Sequence, residues 1–303
     1  MRIALPLFAG LLLAGCAATA PQPKPAPAPA PTPAAVAAPA PAPVGPAPDD
    51  LLNATAWTQN AVEHDLVFQE IYRNAQEKLL KALKNKRWDA LPHDERTGPV
   101  AKLKPAVILD IDETVLDNSP YEARLIQSGK AYNEATWGAW VKEAKAKPLP
   151  GALAFTKFAD KHGIRVIYIS NRAQDLDQAT LENLRKAGFP VHGQDAFLGL
   201  GTFVKGCEQI GSQKTCRRQL VAKHYRVLMQ FGDQVGDFMT VLNNTTQGRR
   251  DAMAPYAAWI GERWFVFPNP MYGSWEPAMF GNDWEQPANV RRKAKIDSLH
   301  GDN

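Results

Sequence analysis

Four carboxylates in two short segments define the chemistry open to this chain. Ala106-Val-Ile-Leu-Asp110-Ile-Asp112-Glu-Thr114 reads as an apolar strand running out into Asp-x-Asp-x-Thr. Farther on, Arg226-Val-Leu-Met-Gln-Phe231 runs into Gly232-Asp233-Gln-Val-Gly-Asp237. Like charges held close repel unless a cation or a shared proton offsets them. A Mg²⁺ ion facing a phosphate is the simplest account, since Mg²⁺ takes oxygen ligands and keeps several waters. Asp110 is then the candidate nucleophile. Asp112 is the candidate acid and base, protonating the leaving oxygen and later activating water, with its backbone carbonyl free for the metal. The candidate metal residues are therefore Asp110, Asp112, Asp233 and Asp237. Ser170, after the apolar run 164–169, suits a hydrogen bond to a phosphoryl oxygen. Lys214, opening a helical run, suits neutralisation of the nucleophile and the phosphate. Asn171 and Arg172 follow Ser170 and are candidate substrate-binding residues. A calcium loop of the EF-hand type is excluded, because Val115 stands where the sixth position needs Gly.

Elements that would hold these groups can be read along the chain. Residues 56–84 alternate at helical spacing through Val62, Leu66, Ile71, Ala75, Leu79 and Leu83. The strand at 106–110 is apolar throughout, which suits a parallel strand covered on both faces. Residues 119–148 carry Tyr121, Tyr132, Trp137 and Trp140 among helix formers, too long and aromatic for a plain connection, and read as an inserted cap. A helix to His162, the strand 164–169, a helix over 173–187, a short strand at 196–198, a helix over 214–224 and the strand 226–231 follow. A late strand covers 264–267, and the charged tail beyond Pro287 reads as frayed. Such alternation implies an open parallel sheet with helices on both faces. Ligands in these sheets bind outside the carboxyl ends of the strands, where all the acidic candidates fall.

The chain has 303 residues and a formal net charge of +4. That charge is too weak and too scattered to imply a nucleic-acid polymer as partner. Residues 1–15 read as a signal peptide, and Leu13-Ala-Gly-Cys16 resembles a bacterial lipobox with Cys16 as the lipidated residue. Ala17 after it favours the outer membrane by analogy with sorted lipoproteins, facing the periplasm or the cell exterior. Residues 16–50 form a Pro/Ala-rich tether that cannot build a core, residues 17–50 alone holding 12 of the 25 prolines. Residues 51–303 are left for the folded unit. Cys207 and Cys216 suit a disulfide in an oxidising compartment; two free buried thiols are the alternative.

Asp110-Ile-Asp-Glu-Thr114, Ser170 after its strand, Lys214-Thr-Cys-Arg217 and Gly232-Asp-Gln-Val-Gly-Asp237 resemble the four motifs of the haloacid dehalogenase (HAD) superfamily. Leu109-Asp-Ile-Asp-Glu-Thr-Val-Leu-Asp-Asn-Ser-Pro-Tyr121 and Pro268-Asn-Pro-Met-Tyr-Gly-Ser-Trp-Glu276 are similar to the class C nonspecific acid phosphatases, which include bacterial surface lipoproteins. The resemblance covers roughly residues 55–285. It implies an α/β fold: a HAD-like Rossmann core near 104–118 and 149–285, with a helical cap from 51–100 and 119–148. It also implies Mg²⁺-dependent hydrolysis of phosphate monoesters through an aspartyl-phosphate, often best at acidic pH. In nucleotidase members the base lies between aromatic rings, which match Trp137 and Tyr272. Nucleoside monophosphates are therefore the expected substrates, and membrane contact comes through the N-terminal lipid. A homodimer stays open, as does a ligand-binding surface lipoprotein, for haem or a host surface, with a secondary phosphatase site. The segment 199–207 and its partner Cys216 depart from the family pattern, which leaves the choice between Lys214 and Lys205 to the structure.

Overall fold

The computed structural model describes residues 49–301, Thr97 excepted. The signal peptide, Cys16 and nearly all of the tether lie outside the described residues. The helices are α1 (Leu52–Asn60), α2 (Val62–Lys84), α3 (Ser119–Ser128), α4 (Glu134–Lys142), α5 (Ala152–Lys161), α6 (Asp177–Lys186), α7 (Thr215–His224), α8 (Val235–Phe238), α9 (Thr246–Met253) and α10 (Ala288–Asp297). The strands are β1 (Lys104–Leu109), β2 (Leu116–Asp117), β3 (Lys147–Pro148), β4 (Arg165–Ala173), β5 (Phe197–Leu200), β6 (Tyr225–Gly232) and β7 (Trp264–Val266). None of the described helices is long and apolar enough to cross a membrane.

Five strands form one parallel sheet in the order β5-β4-β1-β6-β7. Successive side chains in a strand point to opposite faces, so an all-apolar strand feeds two cores. Val107 and Leu109 join Val166 and Tyr168 under α2 and α5, whereas Ala106 and Ile108 join Ile167 and Ile169 beside Val221 of α7. The chain runs from β1 outward through β4 to β5, then returns to the other side of β1 with β6 and β7. The reversal of winding at β1 opens a crevice at the carboxyl ends of β4, β1 and β6.

β2 and β3 pair antiparallel, Leu116 with Pro148 and Asp117 with Lys147. This two-residue stem carries α3 and α4 as the insertion anticipated from its aromatics. The N-terminal helices do not both belong with it. α1 packs on α3, but α2 lies on the core against α5, β6 and β7. Ala75 and Leu79 face inward as expected, but His64, Phe68, Tyr72 and Ala82 complete the buried stripe, where Val62, Leu66, Ile71 and Leu83 were expected. Val62 is 63 % exposed and Leu66 55 %. Phe68 and Tyr72 set the phase, because their rings pack on Phe267 and Phe231. The tail is likewise helical, as α10, rather than frayed. Lys295 pairs with Asp50 at 2.9 Å and Glu276 at 3.2 Å, and Arg292 with Asp50 at 3.3 Å.

Glu122 of α3 is buried, and burial first, then Glu276, pushes its carboxyl up from 4.5 to about 7. A carboxyl with a raised folded-state pKa holds its proton longer when folded than when unfolded. Its contribution is therefore fully present below pH 4.5 and is lost as pH rises through about 7. Glu122→Gln is expected to remove that slope, raising stability at pH 8 by roughly 2–3 kcal/mol and leaving it unchanged near pH 4. Urea unfolding at the two pH values checks this; an equal shift at both would assign the effect to packing.

Candidate active site

β1 ends at Leu109, and the Asp110 amide still donates to Phe231 O at 2.9 Å. The sheet ladder thus fixes the backbone of Asp110. Beyond it the chain doubles back. The amides of Val115 and Leu116 both donate to Ile111 O at 2.9 Å, and Glu113 takes a left-handed conformation with φ 53°. A non-glycine residue rarely adopts that region, and such strain persists only where neighbours enforce it. Here Glu113 is buried and accepts from the Asn118 amide at 2.7 Å, while Tyr72 Oη donates to Thr114 O at 2.7 Å. The turn separates the two aspartates, so Asp110 and Asp112 face different partners.

Asp110 faces the acidic side. One carboxylate oxygen from each of Asp110, Asp233 and Asp237 lies within 4.8 Å of the others. Lys214 Nζ, 4 % exposed, bonds Asp110 Oδ1 and lies 2.7 Å from Asp237 Oδ1. Lys205 is exposed, and Lys214 is the one of the two lysines that meets the acidic cluster. The Asp233 Oδ2 atom accepts from Gln234 Nε2 and Asn269 Nδ2, each at 2.8 Å. Asp237 Oδ2 caps α8 by accepting from the Gln234 amide at 2.8 Å. A Cβ at Gly232 would fall 2.2 Å from that oxygen, so only glycine admits so close an approach.

The electrostatics follow from crowding. Burial raises Asp110 well above the ordinary carboxylate range; Lys214 opposes this, and Asp237, Asp233 and Asp112 add to it. Burial and Asp237 push Asp233 up to about 7. Burial acts to lower Lys214, but Asp110 and Asp237 outweigh it, and the net shift is upward. One ammonium thus faces three carboxylates that repel one another. Oxygen-only donors, a surplus of negative charge and a buried setting fit a divalent hard cation such as Mg²⁺.

Asp112 faces the other way, its side chain outside the acidic cluster. Its carboxylate accepts from Arg172, from Asn118 Nδ2 at 2.9 Å and from Ser170 Oγ at 3.2 Å. Arg172, read from the sequence as substrate-binding, is 1 % exposed and directs its donors to Asp112, Asn118 and Thr180. Asn171 is exposed, with its Oδ1 accepting from Arg217 Nη2 at 2.7 Å. Trp137 is half-buried in edge contact with Tyr121, the ring centroids 5.3 Å apart, and under the Arg172 guanidinium at 5.6 Å. Tyr272 is half-buried on the other side, its carbonyl accepting from Gln234 Nε2 at 3.3 Å. The Trp137 ring is thus one residue removed from Asp112, through Arg172, and the backbone of Tyr272 one residue removed from Asp233, through Gln234.

Sequence reasoning missed Glu113, Asn118, Gln234 and Asn269 as site residues. All four lie inside the quoted motifs, so the signal was position within a motif beside a carboxylate. It also missed Arg217 and Arg218, both fully buried. Arg217 Nη1 donates to Ser170 O at 2.5 Å. Arg218 joins Glu95 at 2.6 and 2.7 Å and donates to Asp237 O at 3.1 Å. Helix α7 is thereby fixed to both neighbouring strand ends.

Cys207 and Cys216 are joined, with Cα atoms 5.6 Å apart, and Cys216 lies two residues beyond Lys214. The bridge closes a loop of nine residues' separation. Removing it by Cys207→Ser is expected to cost about 2–3 kcal/mol, chiefly through the unfolded chain. The urea midpoint with and without a reductant measures this; a midpoint unmoved by both would show that the bridge adds nothing.

Comparison with known proteins agrees with this geometry. The model of the HAD superfamily, subfamily IIIB (acid phosphatase), matches residues 37–275. The class C acid phosphatase from Bacillus anthracis, solved with tungstate bound, is 32 % identical; the match covers 84 % of this chain and 98 % of that one, with a TM-score of 0.71. Acid phosphatase 1 of Solanum lycopersicum is 26 % identical over 54 % of this chain and 57 % of its own length. A stem 31 kDa glycoprotein of Glycine max is 27 % identical over 54 % and 58 %. The chain spans somewhat over half the length of these curated relatives. On the extent of the family match and the coverage of the solved structure, this chain belongs to the HAD superfamily, subfamily IIIB, the acid phosphatases.

Proposed function

We propose that this protein is a Mg²⁺-dependent phosphomonoesterase acting on 5′-nucleotides and similar monoesters. One observation carries the reading. Two aspartates two residues apart are separated into an acidic, lysine-paired side and a side held by neutral and cationic donors. A phosphoryl group between them meets a nucleophile on one side and an acid on the other. Asp110 attacks phosphorus as the bond to the leaving oxygen breaks. Asp112 gives that oxygen a proton, then takes one from the water that attacks the aspartyl-phosphate and frees phosphate. Lys214 holds the nucleophile in place and balances charge on it. Mg²⁺, held by Asp110, Asp233 and Asp237 with the Asp112 carbonyl available, would supply the remaining charge neutralisation.

That a related phosphatase binds tungstate, a tetrahedral oxyanion, supports a phosphate-sized anion as ligand. The nucleotide preference rests on the Trp137 ring, which lies beside Arg172 on the Asp112 side, and on Tyr272, whose backbone meets Gln234 beside Asp233. Stacking accepts any base, so the expected activity is broad among nucleotides. Anchoring in the outer membrane by lipid on Cys16, with the enzyme facing the periplasm or cell exterior, rests on Leu13-Ala-Gly-Cys16.

Phosphate release from AMP and from p-nitrophenyl phosphate, each with Mg²⁺ and with EDTA, tests the proposal. Metal-dependent turnover of both is expected. Trp137→Ala should raise KM for AMP by roughly tenfold, the loss of about 1–3 kcal/mol of stacking, and change that for p-nitrophenyl phosphate less. Folded, Mg²⁺-supplied protein that turns over neither ester would leave the surface-binding lipoprotein as the better account.

A further inference from the structure

Arg172 is held within the site by Asp112, Asn118 and Thr180. It sits in β4, fully buried, with Nε and Nη2 both donating to Asp112 Oδ1, at 2.9 and 2.8 Å. Asn118 Nδ2 donates to the same oxygen at 2.9 Å. Nη2 also reaches Asn118 Oδ1 at 3.3 Å, and Nη1 lies 3.4 Å from Thr180 Oγ1. The guanidinium carbon stands 5.6 Å from the centre of the Trp137 ring. Among the described residues, the second oxygen, Oδ2, has one hydrogen-bond partner, Ser170 Oγ at 3.2 Å.

The two carboxylate oxygens of Asp112 are therefore unlike. Three N–H donors converge on Oδ1, so a proton placed there would point at hydrogens already filling its lone pairs. Oδ2 meets one hydroxyl, which can turn to accept instead of donate. We infer that Arg172 is a positioning residue that makes Oδ2 the oxygen through which Asp112 passes protons and fixes its aim at the leaving group. A guanidinium suits this task. Its planar fork is rigid, and the Trp137 face restrains its plane. The inference rests on the phosphatase reading and extends it to the step in which the leaving group departs. There Asp110 forms its bond to phosphorus, the ester P–O bond breaks, its electron pair goes to the leaving oxygen, and the proton on Asp112 Oδ2 follows.

Leaving groups separate this role from a structural or phosphate-binding one. An alkoxide needs the proton, whereas p-nitrophenolate departs without it. The test is kcat/KM of the full-length, Mg²⁺-supplied protein for glycerol 2-phosphate and p-nitrophenyl phosphate. That constant reports only steps up to leaving-group departure, so the later use of Asp112 as a base does not enter. Both esters are assayed on one preparation, and the ratio cancels any loss of folded protein. Arg172→Gln is expected to lower kcat/KM for glycerol 2-phosphate by about 10²-fold and for p-nitrophenyl phosphate far less. Arg172→Lys, with the charge but not the fork, should shift the ratio in the same direction by a smaller amount. Equal losses on both esters in both variants would make Arg172 a structural or phosphate-binding group and overturn the inference, as would no loss on either. Wild-type protein inactive on both would remove the phosphatase reading and this inference with it.

Discussion

Asp110→Asn is expected to reduce phosphate release from every ester by roughly 10⁴-fold or more, with the fold intact. The amide keeps the shape of the carboxylate but has no anionic oxygen to attack phosphorus, and removing a covalent nucleophile is among the largest single losses an active site can show. Burial and the neighbouring carboxylates already push Asp110 upward, so exchanging it for a neutral residue relieves repulsion rather than adding to it. Thermal unfolding without metal should therefore be no lower in the variant than in the wild type. Acid-quenched samples should hold a phosphorylated protein in the wild type and none in the variant. Turnover in Asp110→Asn above about one per cent of wild type would show that another group attacks.

Lys214→Met should damage both activity and stability. Lys214 is the buried cation against which Asp110 and Asp237 are held. Its removal leaves carboxylates facing one another with nothing between them, and breaking a buried pair from one side typically costs about 3–5 kcal/mol. The loss should be fullest at pH 8 and shrink as pH falls, because raised carboxyls escape repulsion by taking protons. In activity, losing one group that stabilises developing charge corresponds to about 10²–10³ in kcat. Urea unfolding with EDTA and with Mg²⁺ separates the contributions. Added metal should recover a larger share of stability in the variant than in the wild type, since it enters where positive charge is missing. A variant as stable as wild type at pH 8 without metal would mean that those carboxylates are neutral there for reasons unrelated to the lysine.

The site was readable from sequence to the extent that its residues sit at the ends of apolar runs. Asp110, Ser170 and Asp233 each follow such a run, and parallel pairing of β4, β1 and β6 carries all three to one edge. Strand ends are local signals, and the rule that ligands gather there does the rest. What was not readable depends on contacts between segments far apart. Nothing near Arg172 in the chain says that its guanidinium will meet Asp112, 60 positions earlier. The first half of α2 was misread for a similar reason. Val62 and Leu66 are as apolar as the residues that turned inward, and only the rings of Phe231 and Phe267 decide which stripe packs. α10 meets Asp50, at the opposite end of the folded unit, a contact that nothing local in the chain announces.

That last pairing has a mechanical consequence. α1 begins at Leu52 and packs on α3, and Gln59 Nε2 donates to Ser119 Oγ at 3.1 Å, one residue from the Asn118 that holds Asp112. Force applied to the chain ahead of Asp50 would pass along α1 toward Asp112 if nothing intervened. Asp50 is instead clasped by Lys295 and Arg292, and Lys295 also grips Glu276. A pull from that end therefore meets the pairs between Asp50 and α10 before it reaches α1. The two ends of the folded unit are in this way closed on each other, at the point where the chain enters it.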